Sequence, residues 1–551
     1  MRRINERTGQ VLLACLLSSI MPLSAADNPA PQPSEIEQLK QMLADQQRQI
    51  NELRQALAQQ QGSVSAKTAS PVIPAADPIP LSTFRNLGQV ASTAAVLPRP
   101  AALPALPAPQ ATPAKPLPES SPLQLKIGDA YITPVGFMDM TLVSRSTNAG
   151  NALATNFGSI PFANTTKGAL SETRLTAQNS RIGLRVDALV KGVKVLGYLE
   201  SDFVGFTPTN VSVSTNSDSL RLRQYFIQLN KGKFEFLAGQ AWGMETPNRV
   251  GISPLPANVF ITQDVDVNYQ AGLVFTRQSG FRALYHPSDK VVFGVALEDP
   301  EQYMGGSGGG GLTVLPAAFT SLQANQLNDG TANYNVPNLH PDIVGKIAFD
   351  PSPKFHLEVV GIERTFKIAN PTTLATSTKA SGSGAVNLGV QVATGLRLLT
   401  NNFWGDGGGR YIFGLAPDLI LRADGSISPI HSGSTLSGFE YTHKNSVIYA
   451  LYGGVYIQRN TALDTNGKPV GYGFTGSSNG QNRAIQEATF GLNQTLMRDT
   501  KWGALNLMFQ YSYLQRNPWF VAQGQPADAN VHMGFVNFRY TLPGSAPTLG
   551  R

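Results

Sequence analysis

From about residue 130 to residue 542 the chain alternates apolar and polar positions with a period of two. Leu505, Leu507, Phe509, Tyr511 and Tyr513 interleave with Asn506, Met508, Gln510 and Ser512, and Ile182, Leu184, Val186 and Ala188 interleave with Arg181, Gly183, Arg185 and Asp187. Successive side chains of a strand point to opposite faces, so each such run predicts a strand with one oily side. A soluble sandwich alternates too, but its wet face is rich in Lys and Glu. Here the apolar set is large and aromatic at the segment ends, and the polar set mixes Arg, Asp, Asn, Gln and Gly. That suits a barrel with lipid outside, water inside and no open edge. Short turns are expected at Lys191-Gly192, 230–233, 287–290, 350–354, Lys444-Asn445 and 499–501, with a further break at 399–409 on the same side. Long connectors fall at 146–170, 204–217, 242–272, 299–337, 368–383, 415–433, 460–483 and 517–530. The two kinds alternate, which gives sixteen strands and puts both barrel ends on one side of the membrane. The predicted fold class is an all-β transmembrane β-barrel over residues 123–551, preceded by a short α-helical coiled coil.

The first 122 residues follow other patterns. Arg2, Arg3 and Arg7 precede an apolar stretch from Val11 to Leu23, and Ser24-Ala25-Ala26 offers small residues for cleavage. Residues 1–26 thus read as a signal peptide. Leu12-Leu13-Ala14-Cys15 also resembles a lipoprotein box, but too few apolar residues stand before it. Within 27–62, Ile36, Leu39, Leu43, Gln46, Ile50, Leu53, Leu57 and Gln60 keep a strict 3-4 spacing. Ser34 and Glu37 supply a capping box ahead of it. Four heptads of this kind form a coiled-coil seam, with Ile36, Leu39, Leu43, Ile50, Leu53 and Leu57 as the oligomerisation contacts, placed in the periplasm. Residues 63–122 hold thirteen prolines between Pro71 and Pro122. Such a stretch is an extended tether rather than a core.

Composition narrows the class. Of 551 residues only 14% are charged, and no 18-residue apolar run follows the first 25, so a helical membrane protein is excluded. The net charge of +7 is not clustered as in a nucleic-acid binder. Cys15 is the only cysteine and lies in the signal, leaving no thiol chemistry for the mature chain. No Gly-x-Ser-x-Gly elbow, His-Glu-x-x-His motif or phosphate loop is present, so no enzyme and no cofactor are expected.

The sequence Val536, Phe538, Tyr540, Leu542, set against Phe535, Asn537, Arg539 and Thr541, is similar to the C-terminal assembly signal of outer-membrane barrels, with Leu542 in the usual aromatic place. Ser180-Arg181-Ile182-Gly183-Leu184, Leu199-Glu200-Ser201-Asp202-Phe203 and Leu220-Arg221-Leu222-Arg223 are similar to early strands of the DcaP-like family of trimeric outer-membrane porins. Together with export signal, coiled coil, tether and barrel, they make the chain resemble that family along nearly its whole length. The resemblance implies a homotrimer in the bacterial outer membrane, in contact with its lipid and lipopolysaccharide. It also implies diffusion of small hydrophilic solutes with a preference for anions such as carboxylates.

Strand parity places Arg181, Arg185, Lys194, Glu200, Asp202, Arg221 and Arg223 toward the lumen, with a slip after Arg223 that a bulge would explain. Arg277 and Arg282 have opposite parity unless a bulge lies at Ser279-Gly280. A planar guanidinium offers a fork of donors matched to carboxylates, so these arginines would form a basic wall. Equally, they could pair with Glu200, Asp202 and Asp187 and stiffen the wall. In sixteen-strand porins the third long loop narrows the channel, so the resemblance makes Trp242, Glu245, Arg249, Asp264 and Asp266 constriction candidates. Asp264 and Asp266 alone are far short of a calcium site, and no metal is expected. The second reading is structural: the tether and coiled coil grip the peptidoglycan while the barrel anchors them.

Overall fold

A computed structural model of the chain describes residues 121–151, 153–205, 219–259, 263–305, 311–328 and 336–543. The expected signal, the coiled coil with Ile36, Leu39, Leu43, Ile50, Leu53 and Leu57, and the linker up to residue 120 lie outside the described residues.

Sixteen antiparallel strands close into a barrel. They are β1 (Ala130–Arg145), β2 (Glu172–Thr176 continued by Arg181–Val190), β3 (Val193–Asp202), β4 (Arg221–Lys231), β5 (Phe234–Trp242), β6 (Arg277–Ser288), β7 (Val291–Glu298) and β8 (Asp342–Ser352). The second half comprises β9 (Phe355–Ala369), β10 (Thr376–Ala393), β11 (Leu396–Asp406), β12 (His431–His443), β13 (Ser446–Ile457), β14 (Asn482–Asp499), β15 (Gly503–Pro518) and β16 (Ala529–Thr541). Each strand pairs with the next, and β1 closes on β16 from Phe137↔Thr541 to Arg145↔Met533. Closure leaves no strand edge with unpaired backbone groups, the condition for a sheet to stand in lipid.

The alternation decides which way each strand faces. On β15, Phe509 and Tyr511 are exposed while Met508, Gln510 and Ser512 are buried; on β2, Ile182 and Leu184 are exposed while Arg181 and Arg185 are buried. The slip expected after Arg223 is a bulge: Glu200 faces Gln224 and Ser201 faces Leu222, leaving Arg223 as the extra residue. Consecutive Arg223 and Gln224 are therefore both buried. The bulge expected at Ser279-Gly280 does not exist, since β5 and β6 pair without interruption from Trp242↔Arg277 to Phe234↔Tyr285.

Two connector assignments change. The break at 399–409 is not a turn: Thr394-Gly395 makes the turn and Leu396–Asp406 is strand throughout. Asn401 and Asn402 look like turn residues, but Asn401 faces inward and is bonded there, while Asn402 stands on the outer face. The connector expected at 368–383 shortens to residues 370–375, because β9 and β10 continue pairing to Ala369↔Thr376.

The interior is less watery than a polar lumen implies. Loop 1 (residues 146–171), loop 3 (243–276) and loop 6 (407–430) fold inward. Phe157, Ile160, Val265, Val274, Ile412 and Leu415 from these loops form one buried apolar cluster with wall residues such as Val360, Phe403 and Met508.

Candidate functional site

Loop 3 crosses the inside of the barrel, and its bonds trace the path. The amide of Met244 donates to Glu298 on β7 at 2.7 Å. The amide of Asn248 donates to Glu358 on β9, and Lys346 of β8 donates to the Thr246 carbonyl at 2.9 Å. Arg249 grips Glu440 of β12 with two bonds of 2.7 and 2.8 Å. Farther along, the amides of Val265, Ala271 and Val274 donate to Gln510, Glu487 and Asn401 on β15, β14 and β11. The Phe275 amide reaches the Tyr411 carbonyl of loop 6. Gly453 of β13 makes the close approach feasible, because a Cβ there would run into the carbonyl oxygen of Ala271. The expected inward folding of this loop is thus a property of the structure.

Against this loop stands the arginine cluster. Arg181 bonds Glu200 at 3.2 Å. Arg223 bonds Glu200 at 2.9 Å and Asp202 at 2.6 Å, and Arg221 bonds Asp202 at 2.8 Å. Arg277 lies with its guanidinium 5.5 Å from the Trp242 ring, and Arg223 is 5.6 Å from the same ring. Nη1 of Arg277 is buried without a hydrogen-bond partner among the described residues. Three guanidinium groups thus share two carboxylates, with Arg277 beside them. The arginines are mostly paired, and Arg181, Arg221, Arg223 and Arg277 together carry two positive charges beyond Glu200 and Asp202. Burying such pairs is favourable only when geometry and further hydrogen bonds offset desolvation.

Tyr269 completes the cluster, and sequence reasoning missed it. Its phenol accepts from Arg223 Nη2 at 3.0 Å and from Arg181 Nη2 at 3.4 Å. Burial alone would raise its pKa, but Arg223, Arg181 and Arg277 outweigh burial and lower it. Its backbone is left-handed (φ 62°), a strained state for a bulky residue. No alternation runs through a loop, so parity had no means to find it.

The remaining candidates are placed as follows. Arg185 is closed onto Asp187 by two 2.9 Å bonds. Lys194 sits exposed beside the short turn at 191–192. Arg282 is buried and donates to the Trp242 carbonyl at 2.6 Å, so both Arg277 and Arg282 meet Trp242 although their parity differs. Trp242 packs against Tyr269 and Phe275. Glu245 accepts from Thr276 and is pushed up by burial. Asp264 accepts from Gln510 at 2.8 Å, and burial and the adjoining Asp266 carboxylate push it up to about 8. Asp266 is raised by burial as well.

A second charged network lies on β8 and β9. Lys346 bonds Glu358 at 2.6 Å, and His356 bonds Asp350 at 2.8 Å with its Nε2 3.2 Å from a Glu358 carboxylate oxygen. Arg364 bonds Asp342 and, in loop 6, Asp418, each at 3.0 Å. All but Asp418 lie on the inward parity of their strands, so the alternation that singled out Arg181 also marks them.

No protein-family model matches this sequence, and no curated protein does. Among solved structures, the outer membrane channel DcaP of Acinetobacter baumannii is similar with a TM-score of 0.54 and 16% identity, over 76% of this chain and 98% of that one. An anion-selective porin from Comamonas acidovorans gives a TM-score of 0.44 at 11% identity, over 75% of this chain and 99% of that one. OmpT of Vibrio cholerae gives 0.40 at 10%, over 76% and 99%. The last two are too distant to bear on the reading. What the first shares with this chain is its fold, a closed sixteen-stranded β-barrel.

Proposed function

We propose that this chain is an outer-membrane porin, a channel for small hydrophilic solutes that favours anions such as carboxylates. It would act as a homotrimer, with its N-terminal region in the periplasm. The observation that carries the reading is the cluster of Arg181, Arg221, Arg223 and Arg277, which keeps two charges beyond Glu200 and Asp202 where loop 3 meets the wall. A charged constriction with low-dielectric walls attracts the opposite ion and repels its own sign. The arginine fork suits a carboxylate better than a spherical ion does.

The apolar cluster of loops 1, 3 and 6 favours a second reading, a closed barrel that anchors the tether and coiled coil to the cell wall. Planar-bilayer conductance of the full chain under a salt gradient separates the two. Steps in threes with an anion-favouring reversal potential, partly blocked by a dicarboxylate, support the channel. A silent barrel supports the anchor, and a cation-favouring potential removes the role given to the arginines.

A further inference from the structure

Along β13, β14 and β15 the outer wall grades from oil to charge toward the long connectors. The registers align the outward residues into rows, two residues or about 7 Å apart along a strand. In the lipid-facing part Phe490 stands beside Tyr511, 55% and 48% exposed. One row up, Tyr452 and Tyr513 flank Ala488. Tyrosines at that level mark the membrane interface, with the ring in oil and the phenol in water. The next row is polar: Gln486 lies between Gly454 and Gln515, and it accepts from the Tyr452 phenol at 2.8 Å. Above it Tyr456, 48% exposed, pairs with Ala484.

Two arginines cap this column. Arg459 holds its guanidinium 5.9 Å from the Trp519 ring, and that ring stands edge-on to Tyr456 at 6.2 Å. The Trp519 indole N–H fixes it by donating to the Ile457 carbonyl at 3.0 Å. Arg483 is the extra residue of a bulge between Asn482 and Ala484. Asn482 is buried and donates to the Gly158 carbonyl of loop 1, while Arg483 is left exposed. Arg459 is exposed as well, and neither arginine meets a carboxylate among the described residues. Arg181, Arg221 and Arg223 inside the barrel are each bound by one. Gly454, Ala484 and Ala488 put no bulk between the arginines and the tyrosine row. A Cβ on Gly454 would make only ordinary contacts, the nearest at 3.8 Å.

We infer that this upper face of β13 to β15 binds a glycolipid with a phosphorylated sugar headgroup. Its acyl chains lie on Phe490 and Tyr511, its sugar sits against Tyr456 and the glutamine amides, and its phosphates meet Arg459 and Arg483. Charge complementarity selects the phosphate, since a guanidinium fork matches its oxygens and these two forks have no protein carboxylate to bind. The order of the rows selects the sugar. A simple phospholipid carries its phosphate at the level of the tyrosines, whereas here the cations stand beyond a row of amides that ring hydroxyls can bond. The inference rests on the reading of the barrel as an outer-membrane protein, and it holds whether the barrel conducts or is closed.

The test titrates the full chain in detergent micelles with diphosphoryl lipid A and follows the bound lipid by native mass spectrometry. Arg459→Gln/Arg483→Gln should bind it about tenfold more weakly than the parent chain. Lys367→Gln/Lys379→Gln, which removes the same charge from β9 and β10 at the same end of the barrel, should bind it as the parent does. Gly454→Trp keeps every charge and fills the space in the amide row, so it too should weaken binding. Equal losses in the two double variants overturn the site, leaving general attraction of an anion to a basic rim. Dephosphorylated lipid A binding as well as the diphosphoryl form overturns the role of the arginines. Phosphatidylglycerol displacing lipid A at equal concentration overturns the choice of a sugar headgroup. A chain that stays monodisperse once detergent is withdrawn removes the membrane reading itself, an outcome distinct from a folded membrane barrel that takes up no lipid A.

Discussion

The phenol oxygen of Tyr269 accepts a 3.0 Å hydrogen bond from Nη2 of Arg223, joining loop 3 to a bulge in β4. The bulge is what turns Arg223 inward beside Arg181, and the left-handed backbone at Tyr269 is what aims the phenol between them. Sheet irregularity and loop strain converge on one atom, and they do so where the wall carries its excess charge.

Tyr269→Phe deletes that acceptor while keeping the ring against Trp242 and Phe275. Two buried guanidinium N–H groups then lose a partner, at a cost of about 1.5–3 kcal/mol. Denaturant unfolding of the reconstituted chain should show a loss of that size, and single-channel records should show noisier current as loop 3 loosens. Unaltered stability would mean that the phenol bond contributes nothing net.

Arg277 and Glu200 should respond in opposite ways. Arg277→Gln removes a guanidinium that no carboxylate binds among the described residues, so anion preference should fall with little loss of stability. Glu200→Gln leaves Arg181 and Arg223 short of a counter-charge. Removing one partner of a buried pair costs roughly 3–5 kcal/mol, yet the anion preference should rise. Reversal potentials and unfolding midpoints of both variants check this. A shift of the same sign in both would disconnect the cluster from selectivity.

Asp264 makes stability depend on pH. Its carboxyl is raised from 3.8 to about 8, so between those values the folded chain holds a proton that the unfolded chain has released. Stability is therefore greatest at the acidic end of that window and declines as pH rises toward about 8. Asp264→Asn should flatten the decline in melting temperature. It should not erase it, because Asp266 and Glu245 are raised too.

Gly453→Val places a branched side chain against the carbonyl of Ala271, a backbone atom that cannot swing away. Loop 3 should lift from β13, and conductance should increase while the barrel still resists unfolding. Conductance equal to that of the parent chain would show that this stretch of loop 3 does not set the bore.

Much of the barrel was legible because a strand has only two faces. Arg181, Arg185, Glu200, Asp202 and Arg223 were assigned inward from parity alone, and they are buried inside. The same rule applied to β8 and β9 would have found Lys346, Glu358 and Arg364. It failed at Asn401 and Asn402, because a residue pair common in turns can also serve a strand whose inner face bonds a loop and whose outer face bonds the neighbouring strand.

What the sequence determined by itself was the period of two, the sixteen-strand count and the sign of each face, since these depend only on neighbours along the chain and on the choice between oil and water. What only the tertiary structure decided was which charges meet. Glu200 and Asp202 lie on β3 and Tyr269 in loop 3, and their convergence on Arg223 of β4 depends on the register, a one-residue bulge and the path of loop 3 through the barrel. Those are set by the packing of the closed sheet as a whole, which no local window of residues contains.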